Sequence, residues 1–258
     1  MNFSRLRLVT FDVTGTLLKL RAAPGQQYGE VGAMYGVVAD NNALITNFKE
    51  QFRRLSAEHP NFGLRTGLGW QNWWNRVVKN TFAASKIEFD DAKLDAVARH
   101  LLEMYETTAC WQHCDGVPAI LSFLRNRGLR VGVVSNFDPR LDTILRNNKL
   151  RHYFDFVLGS YEFGAEKPDA TIFRKAMEEA GGSVAADECL HIGNNAKMDY
   201  FGATRSGWQS ALVSDVDVRA LKQKYPELDE NHVFSSLYQL HKRLLEAIGD
   251  KLPTSDAD

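Results

Sequence analysis

Cysteine is scarce in this chain of 258 residues, which has three, Cys110, Cys114 and Cys189. His113 lies between Cys110 and Cys114, but no second pair of ligands follows at the spacing of a zinc finger. We therefore interpret all three as reduced thiols rather than metal ligands. An odd, low count argues against a disulfide framework and is typical of a reducing compartment.

Long apolar runs and an excess of positive charge are also missing. No run of about 18 apolar residues occurs, so the sequence predicts no membrane span. Lys and Arg number 31 against 32 Asp and Glu, which gives no reason to expect a nucleic-acid or anionic-lipid partner. Residues 1–7 are too short for a leader segment before the first predicted strand. We expect a soluble, cytoplasmic protein, while its oligomeric state cannot be inferred from these features.

The first half of the chain has helical periodicity. Between residues 22 and 110, apolar residues recur at the spacing of amphipathic helices in segments 44–55, 70–78 and 94–105. No convincing strand pattern interrupts them. This part is predicted to be all-α.

A tryptophan cluster at Trp70, Trp73 and Trp74 lies in the second of these helices. At helical spacing such a cluster usually forms core, which is the interpretation we favour. Its place in an insert above the strand ends leaves a second interpretation open, in which the rings stack on a ligand.

The second half alternates strands with helices. Continuous apolar runs predict strands at 131–135, 154–158, 190–192, 211–213 and 233–234, a last helix at 237–248 and a frayed polar tail from Pro253. The strand near residues 6–11 belongs with this pattern. We predict an α/β fold, a Rossmann-like parallel sheet with helices on both faces. The core domain comprises residues 1–18 and 114–258, and an all-α domain of residues 19–113 is inserted.

Four polar sites follow predicted strands. They are Asp12, the pair Ser135-Asn136, Lys167 in a loop before a helix, and the segment from Asn194 to Asp199. The carboxyl ends of parallel strands lie at one edge of a sheet, so these side chains should converge. Together these groups suit phosphoryl transfer. One carboxylate can act as nucleophile, the hydroxyl and the ammonium can bind anionic oxygens, and the second carboxylate can bind a hard cation.

Each site taken alone has an ordinary structural explanation. Asp12 could cap a turn, and Asp199 could belong to a solvated helix face. Lys167 and Pro168 could simply mark the start of a helix, with the proline at its first position. The combination of all four in this order favours a functional site.

The four motifs resemble those of the haloacid dehalogenase superfamily. That superfamily has an Asp-x-Asp-Gly-Thr strand end, a later Ser or Thr, a Lys before a helix and a late acidic pair. The corresponding segments here are Phe11-Asp12-Val13-Thr14-Gly15-Thr16-Leu17, Val134-Ser135-Asn136-Phe137-Asp138, Glu166-Lys167-Pro168-Asp169 and His191-Ile192-Gly193-Asn194-Asn195-Ala196-Lys197-Met198-Asp199-Tyr200. The helical insert is similar to the C1 cap. More narrowly, the chain resembles the subgroup of haloacid dehalogenase-like hydrolase domain-containing protein 3, for which no settled substrate is implied.

The resemblance implies a role for each matched residue. Asp12 would be the nucleophile that forms a phosphoaspartate, and Ser135, Asn136 and Lys167 would bind the phosphoryl group. The implied cofactor is Mg²⁺, and its implied ligands are Asp12, the Thr14 main-chain carbonyl, Asn194 and Asp199. The implied substrate is a small phosphorylated molecule.

Two positions depart from the superfamily pattern. Thr14 replaces the aspartate that usually acts as general acid and base, and loss of such a group typically costs about 10²–10⁴-fold in rate. The same Asp-x-Thr pattern resembles the phosphorylation motif of P-type ATPases. Asn194 replaces the first aspartate of the late acidic pair, which removes a negative charge and should weaken Mg²⁺ binding.

Three functional hypotheses follow. The first is a Mg²⁺-dependent phosphohydrolase whose helical domain selects the substrate. The second is a metal-independent 2-haloacid dehalogenase that uses the same Asp12 ester chemistry. The third is a binding or regulatory protein on a hydrolase scaffold, which the two departures favour and the intact Asp12, Ser135 and Lys167 oppose.

Overall fold

A six-stranded parallel sheet is the main feature of the computed structural model, which describes residues 1–85 and 90–248. Its strand order is β5-β4-β1-β6-β7-β8. The strands are β1 (Leu8–Phe11), β4 (Arg130–Ser135), β5 (Phe156–Gly159), β6 (Cys189–Gly193), β7 (Gln209–Val213) and β8 (Val233–Phe234). The predicted α/β, Rossmann-like fold is confirmed.

Helices flank this sheet, as the apolar strand pattern requires. All four residues of β1 and all five of β6 are buried, which leaves these central strands no solvent-exposed face. The flanking helices are α5 (Val117–Asn126), α7 (Ser160–Phe163), α8 (Ala170–Glu179), α9 (Phe201–Arg205), α10 (Val218–Lys224) and α11 (Leu237–Ile248). Helix α8 begins after Pro168, not at it, and Asp169 caps its first turn through the Thr171 amide.

Strand order reverses between β1 and β6, which makes this the topological switch point of the sheet. In register, Phe11 pairs with Val133 of β4 and with Ile192 of β6. The carboxyl ends of these three strands therefore lie at the same edge. Open α/β sheets bind their ligands in the crevice at such a point.

The chain divides into two units. The core unit comprises Met1–Lys19, His113–Asn136 and Leu150–Asp258, and the helical unit comprises Leu20–Gln112 and Phe137–Lys149. These outer boundaries are one residue from the predicted ones. The sequence analysis assigned residues 137–149 to the core domain, whereas in the structure they are part of the helical unit. Their helix has too short an apolar pattern to reveal from sequence which unit it joins.

The described residues of the helical unit form the helices α1 (Pro24–Met34), α2 (Asn41–Glu58), α3 (Trp70–Ala84), α4 (Asp91–Met104) and α6 (Leu141–Asn147). Helix α1 was not predicted, because its three glycines weaken the helical pattern. A Cβ at Gly25 would overlap the backbone of Ile45, so glycine allows α1 to approach α2 closely. Two short strands, β2 (Leu18–Leu20) and β3 (Trp111–His113), form a separate sheet.

The tryptophan cluster divides into one core residue and two partly exposed ones. Trp73 is buried beside Leu55, and its Nε1 donates to the carbonyls of Leu55 and His59. The prediction of core is confirmed for Trp73. Trp70 and Trp74 are half-buried, and both rings lie against the guanidinium of Arg140.

The cysteines are free thiols, as predicted. Burial raises the pKa of Cys110 and Cys114 to about 11 and that of Cys189 to about 12. Within residues 1–85 and 90–248, no helix has the length and apolarity to cross a membrane. The tail from Pro253, predicted to fray, lies outside the described residues.

Candidate active site

Asp12 is the first residue after β1 and lies at the switch point of the sheet. Its amide donates to the Ile192 carbonyl at 2.9 Å, and the residue is 8% exposed. Ser135 Oγ and Lys167 Nζ each donate to its Oδ1, both at 2.9 Å. Its Oδ2 accepts no hydrogen bond from the residues that the structure describes. One carboxylate oxygen is thus fixed by two donors, and the other remains available.

Lys167 connects two carboxylates. Its ammonium, 1% exposed, donates to Asp12 Oδ1, to Asp199 Oδ1 at 2.6 Å and to the Val134 carbonyl at 2.7 Å. An ammonium has three N–H groups, and each has one acceptor here. Lys167 therefore holds the two carboxylates to the carboxyl end of β4.

Asn136 positions the lysine through its main chain. The Asn136 amide oxygen accepts from the Lys167 backbone N–H at 2.7 Å, and its Nδ2 donates to the Lys167 carbonyl at 2.9 Å. These two bonds occupy both ends of the side-chain amide. Asn136 thus orients Lys167, and the contact of either residue with a phosphoryl group stays a prediction.

Asp199 is buried and accepts hydrogen bonds on both carboxylate oxygens. Oδ1 accepts from Lys167 and lies 3.2 Å from His191 Nε2, while Oδ2 accepts from the Asn195 backbone N–H at 2.8 Å. Gly193 allows the Asp199 carboxylate to lie this close to the end of β6, since a Cβ at Gly193 would overlap the Asp199 carboxylate carbon. The structure places Asp199 behind the lysine, as its counter-ion.

Two residues that the sequence analysis missed extend the network into the sheet. His191 is fully buried, and its Nδ1 lies 2.8 Å from Thr10 Oγ1. Because Nε2 faces a carboxylate, we assign the proton to Nε2, so Thr10 donates to Nδ1. Thr10 and His191 are register partners on β1 and β6. The sequence offered one indication of this pair, namely a single polar residue within each of two adjacent, otherwise apolar strands.

Burial is the largest influence on the pKa of every titratable group in this network. It raises the pKa of Asp12 against the opposing effect of Lys167. It would also raise the pKa of Asp199, but Lys167 and the His191 hydrogen bond together hold that pKa well below its ordinary value. The two carboxylates outweigh burial and raise the pKa of Lys167, whereas burial lowers that of His191. Asp199 and Lys167 are thus charged, and His191 is neutral, near pH 7.

The two departures from the superfamily pattern, Thr14 and Asn194, lie in loops and are exposed. Three consecutive amides of the turn, those of residues 16–18, donate to the Val13 carbonyl rather than to that of Thr14. Gly15 has φ +83°, and a Cβ there would overlap the Asn194 amide. The structure therefore brings Asn194 beside the turn that follows Asp12.

A magnesium ion would find few oxygen ligands here. Both Asp199 oxygens accept the hydrogen bonds described above, which leaves Asp12 Oδ2, the Thr14 carbonyl and the Asn194 amide oxygen. Among the described residues, no group of three or more His, Cys, Asp or Glu side chains could hold a metal ion. This donor set fits Mg²⁺ bound mainly by water and a substrate phosphate, with one protein carboxylate.

Known proteins resemble this chain over most of its length. A family profile described as "Hydrolase: haloacid dehalogenase-like hydrolase" matches residues 6–207. The Rhythmically expressed gene 2 protein of Drosophila melanogaster is 47% identical over 94% of this chain and 96% of its own. The human Haloacid dehalogenase-like hydrolase domain-containing protein 3 is 37% identical over 92% of each.

Solved structures share the fold at lower identity. A putative HAD-hydrolase from Bacillus subtilis bound to magnesium has a TM-score of 0.69 at 19% identity, covering 93% of this chain and 99% of its own. An L-2-haloacid dehalogenase from Xanthobacter autotrophicus with chloropropionic acid covalently bound has a TM-score of 0.68 at 18% identity, covering 94% and 99%. A HAD phosphatase from Thermococcus onnurineus has a TM-score of 0.56 at 22% identity, covering 93% and 98%.

Proposed function

The chain belongs to the haloacid dehalogenase-like hydrolase family, and on this premise we propose that it is a Mg²⁺-dependent phosphohydrolase of small phosphorylated metabolites. The observation that carries the proposal is the asymmetry of Asp12. Ser135 and Lys167 fix one of its oxygens, while the other accepts no hydrogen bond among the described residues. A buried carboxylate held in this way is oriented for nucleophilic attack.

The proposed reaction has two steps. Asp12 Oδ2 attacks the substrate phosphorus, the bond from phosphorus to the leaving-group oxygen breaks, and a phosphoaspartate forms. Water then attacks that phosphorus, which releases inorganic phosphate and restores the Asp12 carboxylate. Ser135 and Lys167 hold Asp12 in place, and the Lys167 ammonium supplies positive charge for the phosphoryl group.

Magnesium would be held by the Asp12 carboxylate, the Thr14 carbonyl and the Asn194 amide oxygen. Bound there, the ion would neutralise negative charge on the phosphoryl oxygens. A structural neighbour of the same fold is bound to magnesium, which supports the choice of this ion. Since only one of these ligands is a carboxylate, weak Mg²⁺ binding is expected.

A second candidate is metal-independent hydrolysis of a carbon–halogen bond in a 2-haloacid. It is favoured by the presence of only one carboxylate among the proposed metal ligands and by the likeness to a dehalogenase with chloropropionic acid covalently bound. In this reaction Asp12 would displace halide from carbon, and water would hydrolyse the resulting ester. The same carboxylate would serve both reactions.

The deciding experiment assays phosphate release from a panel of phosphorylated metabolites and halide release from 2-haloacids, each with and without Mg²⁺. The Asp12→Asn variant is compared with Asp187→Asn, which alters an exposed surface carboxylate. Mg²⁺-dependent phosphate release that Asp12→Asn abolishes supports the proposal. Metal-free halide release supports the second candidate. Tight metabolite binding without any turnover would overturn both in favour of a binding protein.

A further inference from the structure

The protons around Asp12 are already committed to hydrogen bonds. The Ser135 hydroxyl has one proton and donates it to Asp12 Oδ1. The Lys167 ammonium has three, which go to Asp12, Asp199 and the Val134 carbonyl. The two side chains that contact Asp12 therefore orient the nucleophile, and neither has a spare proton for a departing group.

The other ionisable groups of the core network lie behind the lysine. Asp199 accepts on both oxygens, from Lys167, His191 and the Asn195 amide. His191 is fully buried, with Nδ1 engaged by Thr10 and Nε2 by Asp199. Neither group is placed to exchange a proton with a substrate at Asp12.

The exposed positions of the loops after β1 and β6 carry groups that do not titrate near neutral pH. Thr14 contributes a hydroxyl, and Asn194 contributes an amide. Within the hydrogen-bonded network and these two loops, the described residues offer no free acid for a leaving group and no free base for water. The chemistry must then depend on how readily the substrate's own oxygen departs.

We infer that this site, acting through the proposed phosphoaspartate, takes phosphoryl donors whose leaving group departs as a stable anion, namely acyl and aryl phosphates. Alkyl phosphates such as sugar phosphates are poor substrates. A carboxylate has a conjugate-acid pKa of about 4 and a phenolate about 10, while an alkoxide approaches the value of about 16 for water. An alkoxide therefore needs a proton as it leaves, whereas a carboxylate does not.

Acyl phosphates match the site for a second reason. Transfer from an acyl phosphate breaks one carboxyl–phosphate bond and forms another on Asp12, so neither bond type nor charge changes. The following hydrolysis requires water to attack without a neighbouring base. The second step should therefore be slower than the first, and phosphorylated enzyme should accumulate.

The test uses the full chain with Mg²⁺ and four donors: acetyl phosphate, p-nitrophenyl phosphate, phenyl phosphate and glucose 6-phosphate. We expect kcat/KM to fall steeply as the leaving-group pKa rises, by at least about 100-fold from acetyl phosphate to glucose 6-phosphate. Intact-mass measurement with acetyl phosphate should show one added phosphoryl group, which is absent in Asp12→Asn.

Two matched variants distinguish the effect of an added proton donor from the effect of an added negative charge. Thr14→Asp supplies a carboxylic acid and should raise kcat/KM for glucose 6-phosphate by about 10²–10⁴-fold, with a much smaller gain in kcat/KM for acetyl phosphate. Asn194→Asp adds the same charge at a predicted metal ligand, so it should lower the Mg²⁺ concentration required and leave the dependence on leaving group unchanged.

The outcomes separate this inference from the proposed function. If kcat/KM of the wild type is similar for all four donors, the leaving-group inference is wrong and the phosphohydrolase proposal stands. If acetyl phosphate neither releases phosphate nor modifies Asp12, and no other donor is hydrolysed, the proposed function itself is wrong. Equal gains in kcat/KM for all donors in Thr14→Asp would also contradict the inference, because they would indicate a metal or charge effect.

Discussion

A carboxylate is buried against a cation in both units of the molecule, Asp12 with Lys167 in the core unit and Asp138 with Arg140 in the helical unit. Arg140 donates to both oxygens of Asp138, at 2.9 Å to Oδ1 and 2.6 Å to Oδ2, and Trp74 Nε1 donates to Oδ2 at 2.8 Å. Asp12 accepts its described side-chain hydrogen bonds on Oδ1 alone. The two carboxylates are both buried and paired, and they differ in that only Asp12 has an oxygen without a described hydrogen bond, the feature that the proposed nucleophile requires.

The two cations differ in the same way. The Arg140 guanidinium forms a fork with Asp138, donates to the Leu102 carbonyl and lies about 5 Å from the Trp70 and Trp74 rings. Its geometry is planar and enclosed. The ammonium of Lys167 is a compact point charge, which attracts an anion through its charge while its three N–H groups remain bound to Asp12, Asp199 and the Val134 carbonyl. The arginine pair is suited to holding structure and the lysine network to binding an anion.

The largest effect should follow from removing the cation of the core unit. Lys167→Met should lower phosphate release by at least about 10²–10³-fold, the loss typical for one transition-state donor. It should also lower the free energy of unfolding, since two buried carboxylates lose their counter-ion. Enzyme assays and urea unfolding measure both. Lys175→Met, at a surface lysine paired with Glu179, is the control. A wild-type rate in Lys167→Met would remove this lysine from the chemistry.

Breaking the helical-unit pair should affect stability instead. Asp138→Leu leaves Arg140 buried without its counter-ion and should lower the free energy of unfolding by about 3–5 kcal/mol. The double variant Asp138→Leu/Arg140→Met should recover most of that loss, because buried ion pairs are often replaceable by apolar side chains. Chemical denaturation of the three proteins tests this. A double variant no more stable than the single one would show that the pair cannot be exchanged.

The two tryptophans beside Arg140 sharpen the same comparison. Trp74→Phe keeps an aromatic ring but removes the hydrogen bond to Asp138, which should cost about 1.5–3 kcal/mol, the usual value for a bond to a charged group. Trp70→Phe keeps a ring beneath the guanidinium and should cost less than about 1 kcal/mol. Thermal and urea unfolding measure the difference. Equal losses would mean that ring packing, rather than the hydrogen bond, stabilises the pair.

The smallest predicted effect is a pH dependence that the core network adds to stability. Burial holds the pKa of folded His191 below the value of about 6.5 in an unfolded chain. Between these two values only the unfolded chain binds the proton, so the stabilisation is present above pH about 6.5 and decreases as the pH falls. Unfolding free energies at pH about 7.5 and about 5 should differ less in His191→Gln than in the wild type. An unchanged difference would contradict the assignment of a neutral imidazole.

The sheet and its strand-end residues were predictable because each is coded locally. A continuous apolar run ending in a carboxylate marks β1 and Asp12, and comparable runs mark β4 and β6. Since parallel strands share an edge, convergence of Asp12, Ser135 and Lys167 followed from topology alone, and the structure brings them into contact.

The residues that surround Asp12 and Lys167 from behind, Asn136, Thr10 and His191, were not predictable in the same way. Asn136 is turned towards the Lys167 backbone, and Thr10 reaches His191 only because β1 and β6 are adjacent in a particular register. Sequence shows the residue types but not which partner each one faces. Helix α1 was missed for a related reason, since its glycines become informative only once α2 lies against them.

Gly193 offers a way to disable the site without altering any charge. The smallest possible side chain at this position would overlap the Asp199 carboxylate carbon and force that carboxylate away from Lys167. Gly193→Ala would keep every acid and base of the network in the chain while disturbing only their spacing. The substitution is therefore purely steric. The activity of this variant would show how much of the chemistry depends on the correct spacing of the network rather than on the presence of its residues.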